Sequence, residues 1–555
     1  MNQRNILRNK VYLYLTEFFS GMAIMAVELG ASRLLAPYFS SSQIVWTIII
    51  ATIMIAMAAG NVYGGRSADK RPDPDILYRR LLIAAVWIAA IPVLGKYVIL
   101  LISGALIITI SHNLLTIAAF AACMIVFVYP CFLLGTVTPS LVKYTVDSLA
   151  ESGTTVGTLG AFNTVGSIIG TFLPTFVTIP AVGTAMTFLI FSGILLVLAL
   201  IYFISCRAKK MLCIICAILY VICIIFGNAS HFAFWEKDLA YEGESIYNYL
   251  QVRENDRRVL LSTNVLFGVQ SVLEKEDALT GMYYDYAMAA PVMAMANRMD
   301  ATQRLDSASA GNPAEPISIL ILGMGSGTYY HQCDKYFRGL EMEGVEIDEK
   351  ITRLAHEYFD LPEDAKVTTY DGRAYLAADD KKYDVIMVDA YQDITIPFQM
   401  SSLEFFRSTR EHLTEHGVMV VNMNIRSDQE DGINAWLSDT IAAVYPEVTT
   451  IDVTGNTNRV LFASMEKTDG PAFAKALDAV STTDPKKRTQ IKAFLSGFPA
   501  RVTAYESSGH ILTDDQAPVE LLGMRAIDEL ISEELAVYRE MYEEQGIRGM
   551  IEELL

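Results

Sequence analysis

Seven long apolar runs, at about residues 11–35, 43–63, 81–104, 114–136, 158–180, 184–204 and 211–227, dominate the first part of this 555-residue chain. About 20 apolar residues wound as a helix cross a hydrocarbon layer about 30 Å thick, so each run is a candidate membrane span. Lipid offers no partner to backbone N–H and C=O groups, and a helical bundle is the expected architecture. The first run is too long, and too closely followed by others, to read as a cleaved signal peptide. It contains Glu17, Glu28 and Arg33, which are costly in hydrocarbon and should face protein, water or the interface. Glu28 and Arg33 fit a structural ion pair and a functional site equally well. Gly60, Gly64 and Gly65 end the second run, and Gly157, Gly160, Gly166 and Gly170 punctuate the fifth, where helix backbones can approach closely.

The remainder of the chain has a different character. Of the 43 basic and 62 acidic residues, 14 and 7 precede Phe232, giving the two parts formal charges of about +7 and −26. An acidic soluble part repels phosphate backbones, which argues against nucleic acid and is compatible with a small cationic ligand such as a polyamine. Six of the seven cysteines lie in apolar segments, so no disulfide framework is expected. The CxxC spacing of Cys213 and Cys216 lacks a nearby His and reads as helix packing rather than a metal site. No metal is expected.

Basic residues sit before the first run (Arg4, Arg8, Lys10), between the second and third (Arg66, Lys70, Arg71, Arg79, Arg80) and between the sixth and seventh (Arg207, Lys209, Lys210). The positive-inside rule makes these segments cytoplasmic, and seven spans would then put the acidic part outside. The nucleoside-type ligand that the motifs below imply is normally available inside. The seventh run, at 17 residues, is short enough to be re-entrant or interfacial; the alternative is that the soluble part lies outside. The expectation adopted is a multi-pass membrane protein with its soluble part on the cytoplasmic side, and the resemblance given below implies that the membrane is the bacterial plasma (inner) membrane.

In the soluble part, YNYLQVREND followed by RRVLLS alternates apolar and polar residues across a polar turn and predicts a β-hairpin. After a Ser/Ala/Gly/Asn/Pro stretch at 306–316 comes ISILILGMGSGT, a buried strand running into a glycine-rich turn. That is the opening of a nucleotide-binding unit, in which Gly323, Gly325 and Gly327 let the backbone approach a ligand. The next strand, LEMEGVEID, ends in Glu346 and Asp348, where an acid can accept both ribose hydroxyls. KVTTYDGRAYL places Asp371 and Gly372 where a carboxylate can meet the adenine amino group, and YDVIMVD delivers Asp389 to a strand's carboxyl end. A Walker lysine is absent from the sequence, which argues against a nucleoside triphosphate.

These motifs, with YDVIMVDAYQDITIPFQMSSLEFF, resemble the spermidine synthase family of aminopropyltransferases over about residues 241–425, and the hairpin with LFGVQSVL resembles that family's N-terminal domain. ELGASRLLAPYFSSSQIVW, GGRSAD, VGTLGAFNTVGSIIG and LTDDQAPVE resemble bacterial proteins in which a transporter-like membrane region is fused to a spermidine synthase domain. The resemblance implies that Gly323, Gly325 and Gly327, with Ser326 in the same loop, cradle the nucleoside, and that Glu346, next to Asp348, holds the ribose. It also implies that Asp371 and Gly372 meet the adenine, that Asp389 is the catalytic aspartate, and that Gln270, Tyr284, Tyr391 and Asp393 lie near the amine or nucleoside. Two departures stand out. Ser326 replaces an aspartate that pairs with the aminopropyl ammonium, and Gln392 replaces a second acid, with Asp393 one place further on.

The expected architecture is therefore multi-domain. It comprises a transmembrane helical domain (1–232), a β-hairpin part (233–300) and an α/β Rossmann-like, methyltransferase-type domain with C-terminal helices (301–555). The expected activity is aminopropyl transfer from decarboxylated S-adenosylmethionine to a small amine or polyamine, releasing methylthioadenosine. Two alternatives stay open: methyl or other transfer from intact S-adenosylmethionine, which Ser326 favours, and a non-catalytic nucleoside-sensing domain gating the membrane part. The other expected partner is the lipid bilayer, and self-association as a homo-oligomer stays open.

Overall fold

The computed structural model describes residues 9–39, 42–109, 113–145, 152–228, 232–265, 268–304, 316–390, 396–424, 426–482, 484–534 and 536. The N-terminal part is helical: α1 (Lys10–Phe39), α2 (Gln43–Lys70), α3 (Pro74–Thr109), α4 (Leu114–Val126), α5 (Val128–Gly135), α6 (Val137–Thr145), α7 (Ser152–Leu173), α8 (Ile179–Ser205) and α9 (Lys210–Asn228). Five helical runs are long and apolar enough to cross a membrane, and α4 with α5 and α6, bent by 47°, makes six. One of the five, Ser152–Ser205, has 54 residues. At 1.5 Å per residue it would reach roughly 80 Å, more than twice a hydrocarbon layer. It is divided at Gly183, whose φ of 81° and ψ of 170° are not helical. By length and composition the described residues thus hold seven candidate crossings. The last, α9, is a helix lying against α3 and α8, not a re-entrant loop.

Glycines decide which helices meet. A Cβ on Gly166 or Gly170 would overlap the carbonyls of Phe18 and Met22 on α1, and one on Gly60 would overlap the Phe132 carbonyl. A Cβ on Gly64 would sit 2.7 Å from the Thr136 Cα. Close backbone approach at these positions forbids any side chain. Gly157 and Gly160 have open space around them and Gly65 makes only ordinary contact, so the expected close approach fails at those three.

The soluble part sits on one end of the bundle. Of the described helices, α2, α4 and the Thr184 segment of α8 start at that end, and a carboxylate from the soluble part meets the first amides of each. Glu520 accepts from Gln43 N at 2.7 Å, Asp528 from Asn113 N and Leu114 N at 2.7 and 2.9 Å, and Glu244 from Thr184 N at 2.7 Å. Helix N-termini present unpaired N–H groups and a partial positive charge, so three acids placed there dock the two parts in one register. Arg33 donates to the carbonyls of Ser245 and Ile246 rather than forming the ion pair with Glu28.

The predicted hairpin forms as β2 (Tyr249–Glu254) and β3 (Arg258–Ser262), inside a four-stranded antiparallel sheet completed by β1 (Leu239–Glu244) and β4 (Ser271–Glu274). Helices α10 (Tyr283–Ala287) and α11 (Ala289–Arg304) lead to the large sheet. Its first strands are β5 (Ile317–Leu322), β6 (Leu340–Glu346), β7 (Lys366–Thr369), β8 (Tyr383–Val388) and β9 (Leu413–Met423). β10 (Glu447–Asp452), β11 (Arg459–Ser464) and β12 (Thr503–Ala504) complete it. The order is β12-β10-β11-β9-β8-β5-β6-β7, parallel from β9 to β7 and antiparallel beyond β9. Alternate residues of ISILIL enter opposite cores: Ile319 and Ile321 join Val385 and Val418 on one face, and Leu320 and Leu322 join Ile386 and Met419 on the other. A strand buried on both faces explains the unbroken apolar run. β5 starts the sheet and its neighbours diverge to either side, which puts the switch point for a ligand at the carboxyl ends of β5 and β8. The loop expected at 306–316 lies almost wholly outside the described residues.

Candidate active site

A cavity of about 360 Å³ opens at that switch point. Gly323 and Gly325 form its floor with φ of 83° and 56°, the left-handed region that glycine tolerates. At Gly323 a side chain is excluded twice, because a Cβ would also lie 2.6 Å from the Asp389 carbonyl and the Ala390 Cα. The small sheet closes the cavity from above. Val272 N donates to Thr328 Oγ1 (2.9 Å), and Ser326 N donates to Ser271 Oγ (3.1 Å). These bonds tie β4 to the glycine loop and bring Gln270, Thr263, Tyr247 and Asn248 to the wall.

The strand-end acids separate into two groups. Glu346, Asp371 and Asp389 line the cavity, as do Gly372, Tyr284 and Gln270. Glu346 accepts from Gly325 N (2.8 Å) and Asp348 N (3.1 Å), and burial pushes its carboxyl up to about 7. Asp371 caps the helix Gly372–Ala378 by accepting from Ala374 N at 2.8 Å. Asp348 does not line the cavity: it caps Glu349–Tyr358 through Lys350 N and accepts from Ser245 Oγ, holding the turn beside the membrane bundle. Its place at the strand end corresponds to a structural task. Ser326 and Gly327 are likewise outside the lining, and the buried Ser326 hydroxyl has no hydrogen-bond partner among the described residues. Tyr391 and Asp393 fall outside the described residues.

Asp389 is held by groups the sequence did not reveal. Tyr283 OH donates to Oδ2 at 2.7 Å and Asn422 Nδ2 to Oδ1 at 3.0 Å. The Asn422 carbonyl accepts from Asn458 Nδ2 at 2.9 Å, which leaves the amide with its N–H₂ side toward the aspartate. Tyr284 OH donates to the Gln270 carbonyl at 2.5 Å, joining the small sheet to the same cluster. Burial, with a smaller push from the Glu346 charge, raises Asp389 to about 7, and burial raises Tyr283 far above the ordinary phenol value. The paired tyrosines of GMYYDYA were the available signal for Tyr283. Asn422 gave no comparable signal, since it closes an apolar strand.

A glycine-loop cavity at the switch point of a mixed sheet, with acids arriving on successive strand ends, is the arrangement of an α/β domain shaped for a nucleoside-type ligand. The spermine/spermidine synthase domain family matches residues 305–469. A probable polyamine aminopropyl transferase of Bifidobacterium longum is 50% identical over 363 residues, covering 63% of this chain and 77% of the relative. The polyamine aminopropyltransferase of Vibrio vulnificus is 26% identical, covering 38% and 71%. A probable spermidine synthase from Corynebacterium glutamicum is similar in structure, with 21% identity, a TM-score of 0.35 and coverage of 46% and 94%. The chain belongs to the polyamine aminopropyltransferase (spermidine synthase) family, and is an enzyme of that type carrying apolar helices able to anchor it in a membrane.

Proposed function

We propose that the cavity transfers an aminopropyl group from decarboxylated S-adenosylmethionine to a small amine or polyamine. The observation that carries this reading is Asp389, an acid opening on the cavity and held by two neutral donors, with no ion pair to a cation among the described residues. Amines are mostly protonated near neutrality, with a pKa of roughly 10. Asp389 binds the ammonium, takes its proton and holds the nitrogen in line with the carbon–sulfur bond. A nitrogen–carbon bond forms as the carbon–sulfur bond breaks. The bonding pair leaves with sulfur, the sulfonium becomes a neutral thioether, and methylthioadenosine departs. Glu346 accepts the ribose hydroxyls and Asp371 the adenine amino group, while Gly323 and Gly325 leave room for the nucleoside.

Mass spectrometry of products from the purified full-length protein tests this, using decarboxylated or intact S-adenosylmethionine with a panel of amines. An amine heavier by one aminopropyl group, with methylthioadenosine in equal amount, is expected. Methylated amine with adenosylhomocysteine, or bound nucleoside that never turns over, would overturn the reading.

A further inference from the structure

The two ends of the helical bundle differ sharply in charge. At the end away from the soluble part lie Lys10 at the start of α1, Arg66, Lys70 and Arg71 at the end of α2, and Arg79 and Arg80 in the first turns of α3. Lys143 at the end of α6, Arg207 and Lys209 between α8 and α9, and Lys210 at the start of α9 share that end. Contacts across it confirm the grouping: Tyr202 OH donates to Asp75 at 2.8 Å, Lys143 pairs with Asp69 at 3.0 Å and Arg80 bonds Ser67 at 2.8 Å. The other described bundle cations are Arg33, bonded to Ser245 and Ile246, and Lys96, over the Phe234 ring, both toward the soluble part. Ten of the twelve described bundle cations therefore gather at one end.

We infer that the catalytic domain faces the extracytoplasmic side of the membrane. Lys and Arg in short loops and near span ends stay on the cytoplasmic side, whereas a long domain crosses largely regardless of its own charge, so the acidity of the soluble part does not oppose this placement. Escape from the charge rule through a re-entrant seventh run is closed, because α9 is a full helix packed along α3 and α8. The carboxylates on Gln43 N, Asn113 N and Thr184 N fix the domain to the end poor in basic residues. This reverses the expectation drawn from nucleoside supply. If the proposed transferase reading holds, a step moving a sulfonium nucleoside, or its precursor, across the bilayer must precede this reaction, and the thioether nucleoside is released outside.

Thiol labelling of the full-length protein in spheroplasts tests the placement, with a membrane-impermeant maleimide and the parent chain as background. Lys467→Cys, exposed on the soluble part, should label in intact spheroplasts, and Pro72→Cys, exposed at the basic end, only after lysis. Label at position 72 in intact spheroplasts, or none at 467 until lysis, overturns the inference. Because labelling needs no turnover, its outcome is independent of the transferase reading.

Discussion

Glu17 in the membrane bundle and Asp389 in the soluble part are bound in nearly the same way. Each carboxylate accepts from two neutral side chains: Thr138 and Asn163 for Glu17, Tyr283 and Asn422 for Asp389. What separates them is access. Glu17 is fully buried, both donors meet Oε1, and Oε2 has no partner among the described residues. Asp389 has one donor on each oxygen and faces a cavity. A buried acid with neutral partners marks a place where charge is expensive. Under the proposed reading it becomes a reaction site only where a cationic substrate can arrive, and the cavity that Asp389 lines at the β5–β8 switch would supply that route.

Asp389→Asn, which keeps size and hydrogen bonding but removes the charge, should have the largest effect. Turnover should fall by roughly 10² to 10⁴, the range for a lost general base, with little change in nucleoside affinity. Unchanged turnover would remove Asp389 from the mechanism. In the parent, Asp389 must be ionised to accept a proton and is held near 7. Thus kcat/KM should rise with pH through about 7, dropping about tenfold per unit below it. A rising limb near 4 would mean that the base is another carboxyl.

Glu346→Ala comes next. Removing the acceptor for two hydroxyls should weaken methylthioadenosine binding by roughly 1.5 to 3 kcal/mol, about 10- to 150-fold, by calorimetry. Unaltered affinity would place the nucleoside elsewhere. Burial has raised the Glu346 and Asp389 carboxyls to about 7, so the folded state binds their protons more tightly than the unfolded chain. The resulting stability is full below the unfolded values near 4 and is lost as pH rises through 7. Thermal melts of the unliganded protein should decline over that window, and a rise instead would contradict the assigned direction.

The smallest effect is expected for Glu17→Gln. Glutamine keeps an oxygen for Thr138 and Asn163, Glu17 is not among the residues that line the active-site cavity, and turnover should stay within about twofold. A large loss of turnover in the folded variant would show that the bundle takes part in the reaction.

Some of this was written in local order. Apolar runs of membrane-spanning length, the ISILIL strand and the GMGSGT turn depend on residues adjacent in the chain, and length and periodicity expose them directly. Asp371 and Asp389 were legible for the same reason, since a strand end places its acid regardless of the rest of the fold. The acid pair in VEID was half legible: both residues close one strand, yet Glu346 turns into the cavity while Asp348 turns to a helix start and to Ser245. No local pattern separates those outcomes, because the groups that choose between them come from other elements.

By itself, then, the sequence determined a bundle of apolar spans joined to an acidic nucleoside-binding domain, and the strand ends that carry its acids. Tertiary structure alone decided which groups hold Asp389, with Tyr283 106 residues before it and Asn422 33 after it. It also decided which end of the bundle carries the catalytic domain, through carboxylates seated on helix starts as much as 477 residues away. The physical reason is that apolar burial and backbone periodicity are properties of short segments, whereas a hydrogen bond between distant residues exists only once the chain has closed around both.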